Sequence, residues 1–144
     1  MLLGQFDHTI DEKNRLTLPA KYRKSFAGGV VLARGIDRCL AVYPREVWDG
    51  RMALRVGELE GLSRDDRRMQ RHFFAFAAEV DLDGQGRVMV PAALMQHAGL
   101  GREVTVTGVY DRLEVWDRAA WRSEMQEVEG SAEDVAERLA SKRD

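Results

Sequence analysis

The chain has 144 residues, 44% hydrophobic and 32% charged, with a formal net charge of -2. Such a composition excludes global disorder, and each half alone is near the size at which a single core is marginal, so the halves are expected to share one core. Lone Cys39 closes no intrachain bridge and has no zinc-like cysteine neighbour, no charged leader precedes an apolar run, and no apolar stretch nears bilayer length; a cytoplasmic protein outside the membrane is expected.

In chain order, Leu2 to Ile10 reads as a strand around Phe6 and Ile10, followed by the polar turn Asp11-Glu12-Lys13-Asn14 and the short strand Arg15-Leu16-Thr17-Leu18. A local hairpin is expected there. Pro19 suits a first helical position ahead of Ala20 to Phe26, which Gly28 would end. Val30-Val31-Leu32 and Leu40-Ala41-Val42-Tyr43 are strand-like, and helical segments follow over Pro44 to Leu59 and from Ser63 to Ala77. The pattern then starts again: strand Ala78 to Leu82, turn Asp83-Gly84-Gln85-Gly86, strand Arg87-Val88-Met89-Val90, Pro91, a helix to Ala98, Gly99, strands Val104 to Thr107 and Leu113 to Trp116. Two helices are expected after it, over Asp117 to Val128 and Ser131 to Leu139, with Gly130 between them. Ser63 with Asp66, and Ser131 with Asp134, have the spacing of a helix cap.

The second copy lies 72 residues after the first at the turns and 73 at the later strands. Such self-similarity makes the chain a tandem of two modules, 1–77 and 78–144, joined without a Pro/Ser-rich tether and therefore packed rigidly. The halves differ in charge: residues 1–72 hold 14 Lys and Arg against 10 Asp and Glu, a net of +4, and residues 73–144 hold 8 against 14, a net of -6. A cationic half suits phosphate; opposite halves could equally attract each other.

The chemistry concentrates in the turns. Asp11 with Arg15, and Asp83 with Arg87, stand four apart across a tight turn, so each aspartate can orient a guanidinium towards phosphate or a guanine edge, or merely close the hairpin as an ion pair. Around the first turn, Lys13, Lys21, Arg23 and Lys24 are candidates for phosphate, and Asn14 and Arg15 for base edges. Arg15 is the leading reader, since the second copy has Gln85, Gly86 and Met95 where the first has Lys13, Asn14 and Arg23. His8, His72 and His97 are scattered without a ligand framework, no nucleotide-binding or hydrolase signature occurs, and neither metal, cofactor nor enzyme activity is expected. Arg64 to His72, interrupted by acids and followed by Phe73-Phe74-Ala75-Phe76, reads as a capped helix with an aromatic face for a core or subunit contact. Tyr43 and Trp116 are repeat equivalents, as are Trp48 and Trp121, and are read as packing surface.

From Met1-Leu2-Leu3-Gly4 through His8 to Arg23, and again from Asp83 to Pro91, the chain resembles the MraZ family of bacterial transcriptional regulators. The resemblance implies an α+β fold with a mainly β core, built from two pseudo-symmetric AbrB-like swapped-hairpin modules with added helices. It further implies a ring-like homo-oligomer, nucleoid-associated, that binds short direct repeats of double-stranded DNA and represses the division and cell-wall gene cluster. Asp11, Arg15, Asp83 and Arg87 match the family motif, with Lys13, Lys21 and Arg23 in its basic region. Asn14 replaces a glycine often found there, a change asparagine tolerates because it enters the left-handed region readily.

Overall fold

The computed structural model describes residues 1–143, a mixed α+β fold with two sheets. The strands are β1 (Gln5–Thr9), β2 (Arg15–Thr17), β3 (Val30–Arg34), β4 (Leu40–Pro44), β5 (Ala78–Val80), β6 (Arg87–Met89), β7 (Glu103–Gly108) and β8 (Leu113–Asp117). The helices are α1 (Arg45–Val47), α2 (Ala53–Gly57), α3 (Arg64–Phe74), α4 (Ala92–Ala98) and α5 (Arg118–Arg143), with a 3-10 segment over Ala20–Phe26 and a π turn over Trp48–Met52. Each sequence-predicted strand is present. Its partner is often not the predicted one.

The local hairpins go little further than their turns. Beyond the Asp11 amide bonded to the Arg15 carbonyl, the first holds one Ile10–Leu16 bridge; β1 pairs instead with β7, and β5 pairs with β3. β2 pairs antiparallel with β6, Leu16 opposite Val88. The large sheet runs β1-β7-β8-β4-β3-β5, so the first strand of each repeat lies on the outer edge of the other's strands. The physical reason is burial. Leu16, Leu18, Val88 and Val90 are all 1% exposed or less, and a three-residue strand folded back on its own neighbour alone is too short to bury such a surface.

Residues from both halves make one main core, as expected from the size of each half. On β3 and β4 the apolar runs are continuous because both faces are covered: Val30, Leu32, Leu40 and Val42 enter the main core, while Val31, Ala33, Ala41 and Tyr43 face a second cluster with Trp48, Val56 and Phe73. Helices α1 to α3 supply that second cover over the first half; α5 rests on β7 and β8. The repeat-equivalent aromatics form matching pairs, with Tyr43 on Trp48 at 5.4 Å and Trp116 on Trp121 at 5.6 Å between ring centroids. Burial pushes the Tyr43 hydroxyl up to about 12 and raises the Cys39 thiol well out of its reactive range.

The helix ends carry other corrections. Pro19 and Pro91 precede the helices as caps with extended ψ of 138° and 145°. The first helix is 3-10 and ends at Ala27 rather than Gly28, whereas Gly99 takes the left-handed conformation that ends α4. Ser63 caps α3 by accepting the Asp66 amide at 3.0 Å. Ser131 caps nothing: α5 is one unbroken helix of 26 residues, and the Ser131 hydroxyl donates back to the Glu127 carbonyl at 2.6 Å. An interior glycine costs a helix only about 1 kcal/mol, too little to break one this long. Its actual start is held by Asp117, which accepts the Ala120 amide at 3.0 Å.

Gly108 exists for close approach. A Cβ there would meet the Leu2 carbonyl carbon at 2.5 Å, and backbone cannot swing aside. Gly108→Ala is therefore expected to displace the Leu2–Tyr110 bridge and lower stability by about 1 to 3 kcal/mol in urea unfolding. An unchanged midpoint would show that the amino-terminal segment is not docked as described.

Candidate nucleic-acid interface

The two turns are built alike, atom for atom. Asp11 Oδ1 accepts the amides of Lys13 and Arg15, both at 2.9 Å, and its Oδ2 accepts Arg15 Nε at 2.7 Å. Asp83 Oδ1 accepts the amides of Gln85 at 2.8 Å and Arg87 at 2.9 Å, and its Oδ2 accepts Arg87 Nε at 2.7 Å. The backbone closes each turn the same way, with Asn14 donating to the Asp11 carbonyl and Gly86 to that of Asp83. Asn14 and Gly86 both sit at positive φ, 58° and 75°. A short acceptor side chain at the first position and a residue tolerant of the left-handed region at the fourth are what such a turn requires.

The β2–β6 ribbon sets the two arginines on one face. Leu16 and Val88 point into the core, so Arg15, Thr17, Arg87 and Met89 point the other way, with Arg15 opposite Met89 and Thr17 opposite Arg87. The arginine side chains keep 29% and 25% of their exposure. Each is latched through Nε, and neither terminal Nη group of either guanidinium makes a hydrogen bond to another described residue. Crossed backbone bonds lock the turns to the ribbon: Leu18 donates to the Gly86 carbonyl at 2.9 Å and Val90 to that of Asn14 at 2.8 Å.

Of the other sequence-predicted residues, Lys13 is exposed at the tip of the first turn and Lys24 is exposed on the 3-10 segment. Lys21, also exposed, holds its ammonium 5.2 Å from the Phe6 ring centroid and 5.3 Å from that of Tyr22. Arg23 reaches the second turn. It donates from Nε to the Leu18 carbonyl at 3.1 Å and lies over Gly86 of the second turn, where an added Cβ would meet its Cδ at 2.7 Å. Pairing of β2 with β6 across the repeat thus places Arg23 on the turn that carries Arg87. Conversely, the first turn shares a shallow pocket of about 190 Å³ with Met95 and Arg102 of the second half. Arg102, whose carbonyl accepts the Ile10 amide at 2.8 Å, had no signal in the sequence, since its proximity to Asp11 exists only after the halves interleave.

His72 and His97 are not scattered in space. Their rings stand 5.6 Å apart, each bonded to a carbonyl of the β3–β4 loop, at Gly35 and Asp37. Among the described residues no group of three or more His, Cys, Asp or Glu is placed to hold a metal, and no helix is long and apolar enough to cross a membrane.

Comparison with known proteins agrees with the repeat. A family profile described as "MraZ protein, putative antitoxin-like" matches twice, over residues 1–70 and 73–143. Proteins named "Transcriptional regulator MraZ" align along nearly the whole chain. That of Thermomicrobium roseum is 41% identical over 141 residues, covering 98% of this chain and 99% of the relative. That of Roseiflexus castenholzii is 38% identical, covering 99% of each, and that of Acetivibrio thermocellus 39% identical, covering 97% of each.

The latches should titrate low. The Arg87 amide and guanidinium, with the Gln85 amide, hold the Asp83 carboxyl at about 2, and the Arg15 amide chiefly lowers that of Asp11. A depressed carboxyl favours the folded turn above its ordinary value near 3.8 and loses that contribution as pH falls through the folded value, so the second latch should release between about pH 4 and 2. Carboxyl carbon shifts followed by NMR give the check. Midpoints of 3.8 for both residues would mean the latches are not formed in solution.

Proposed function

The chain belongs to the MraZ family, and on that premise we propose that it is a sequence-specific DNA-binding transcriptional regulator that carries its readers on the β2–β6 ribbon. Membership puts it among regulators rather than enzymes. The observation that carries the proposal is the pair of latched guanidiniums on one face of a two-stranded ribbon. The major groove admits such a ribbon, and a forked pair of donors matches the O6 and N7 acceptors of guanine. Lys13, Lys21 and Lys24 are assigned to phosphate, Asn14, Arg15 and Arg87 to the groove, and Arg23 to the second turn, with Asp11 and Asp83 orienting.

The finer reading follows the resemblance. The chain is taken as two pseudo-symmetric AbrB-like swapped-hairpin modules, 1–77 and 78–144, that assemble into a ring-like homo-oligomer. It represses the division and cell-wall gene cluster by binding short direct repeats in its promoter, in the nucleoid. A scaffold that merely locks its turns is the competing reading, and it needs Arg15, Lys13 and Lys21 buried or engaged: Arg15 is latched to Asp11 and Lys21 lies against Phe6 and Tyr22, as that reading requires, whereas Lys13 is exposed at the turn tip and favours the DNA contact. The palindromic strand order and the matching turns favour the modular reading.

Since the two latches are equivalent and Arg23 adds its charge to the second, Arg15→Ala and Arg87→Ala are each expected to reduce preference for the chain's own promoter over a scrambled duplex by about 1 to 3 kcal/mol. Lys13→Ala should weaken both duplexes alike and reduce the salt slope by about one. Fluorescence anisotropy across a salt series reads all three. Equal affinity of the parent protein for both duplexes at every salt concentration would reject sequence-specific recognition.

A further inference from the structure

Met89 is left out of the packing. Among the described residues it is the one large hydrophobic side chain that a strand of either sheet leaves exposed, at 58%. Its chain neighbours Val88 and Val90 are each 1% exposed and face the core; Met89 faces the other way and adds nothing to it. The register puts Met89 directly opposite Arg15, and its repeat equivalent on β2 is the small, polar Thr17, opposite Arg87. The outer face of the ribbon is thus a block of four side chains, with the two arginines on one diagonal and Met89 and Thr17 on the other.

In the major groove guanine presents two acceptors, adenine an acceptor and a donor, cytosine a donor, and thymine an acceptor with a C5-methyl, the one apolar group that the base edges carry there. A methionine laid in the groove gains from that methyl. Against any other edge it strips water from a donor or an acceptor without replacing the lost hydrogen bond. Its unbranched, polarisable side chain adapts to a small apolar contact of this kind. Opposed side chains of an antiparallel pair stand about 5 Å apart at Cβ, and successive bases rise about 3.4 Å, so the base edge under Met89 lies one or two steps from the one under Arg15. Thr17 does not duplicate the contact: its hydroxyl serves donor and acceptor edges alike, and its methyl reaches less far.

We propose that Met89 is a specificity-determining residue that contacts the C5-methyl of a thymine one or two base pairs from the guanine assigned to Arg15. The assignment rests on the DNA contact proposed above and deepens it. A thymine on one side of a guanine marks a direction along the duplex, which two equivalent arginine latches do not.

Fluorescence anisotropy with the chain's own promoter, synthesised with thymine or with deoxyuridine in its place, isolates the methyl, because uracil pairs as thymine does and lacks only that group. The parent is expected to bind the thymine duplex at least about fourfold more tightly, the contribution of one buried methyl-sized group. Met89→Ala is expected to bind both duplexes alike, at the parent's affinity for the uracil duplex, and to bind a scrambled duplex as the parent does. Met89→Leu, still apolar, should keep at least about a twofold difference. Uracil placed at one position at a time should locate the effect one or two base pairs from a guanine whose replacement by 7-deazaguanine, which lacks N7, weakens the parent and not Arg15→Ala. Urea unfolding and sedimentation check that the variants keep the parent's stability and association. A parent that prefers its promoter to the scrambled duplex but binds the thymine and uracil forms equally overturns the methyl contact and leaves the regulator standing. Met89→Ala with the parent's full thymine preference also overturns it, since the methyl is then read by another residue. A parent with no preference for its promoter in either form sinks both readings.

Discussion

The antiparallel pairing of Arg15–Thr17 with Arg87–Met89 is the contact on which the rest of the molecule depends. Each of these strands has only three residues, too few to stand alone, and each carries one fully buried apolar side chain inward. Pairing them across the repeat seals the main core on one face of the large sheet, where Leu16, Leu18, Val88 and Val90 meet Val104, Val106, Leu113 and Val115. The same pairing holds the arginines in register on the outer face. Core and reader face are two sides of one ribbon, so a loss of register would expose the first and scatter the second.

The aspartates contribute shape more than charge. An Asp–Arg latch is close to electrically neutral, so it cannot draw the chain to a polyanion; what it supplies is a guanidinium already fixed in direction, which loses little rotamer freedom on contact. Attraction has to come from lysines with no carboxylate latched to them. Lys13, Lys21 and Lys24 are exposed, and all three lie in the half with net charge +4. Neutral, hydrogen-bonded turns thus stand beside exposed, charged side chains.

The local content of the fold was legible in the sequence, and its pairing was not. Strand positions, the two Asp-to-Arg turns, the Ser63 cap and the left-handed Gly99 follow from residue types and spacings that act over a few residues. Which strand lies beside which is decided by burial across the whole chain, and nothing within the first turn distinguishes a neighbour four residues away from one in the other repeat. Arg23 is an instance: its packing on Gly86 of the other repeat has no signal in the residues around it. Gly130 misled in the opposite way, through a propensity of about 1 kcal/mol that a long helix absorbs.

Pairing across the repeat also gives the arginine face a direction. Two identical turns on one ribbon would present the same surface when rotated by half a turn, which suits an inverted repeat. Here Lys13 stands where the other turn has Gln85, Asn14 where it has Gly86, and Arg23 and Arg102 flank opposite ends. The latches are equivalent and their surroundings are not, so under the proposed DNA contact one orientation differs in energy from its reverse. An oligomer that sets several such ribbons side by side with the same polarity would read copies of one short sequence all pointing the same way, and that is the geometry of direct repeats.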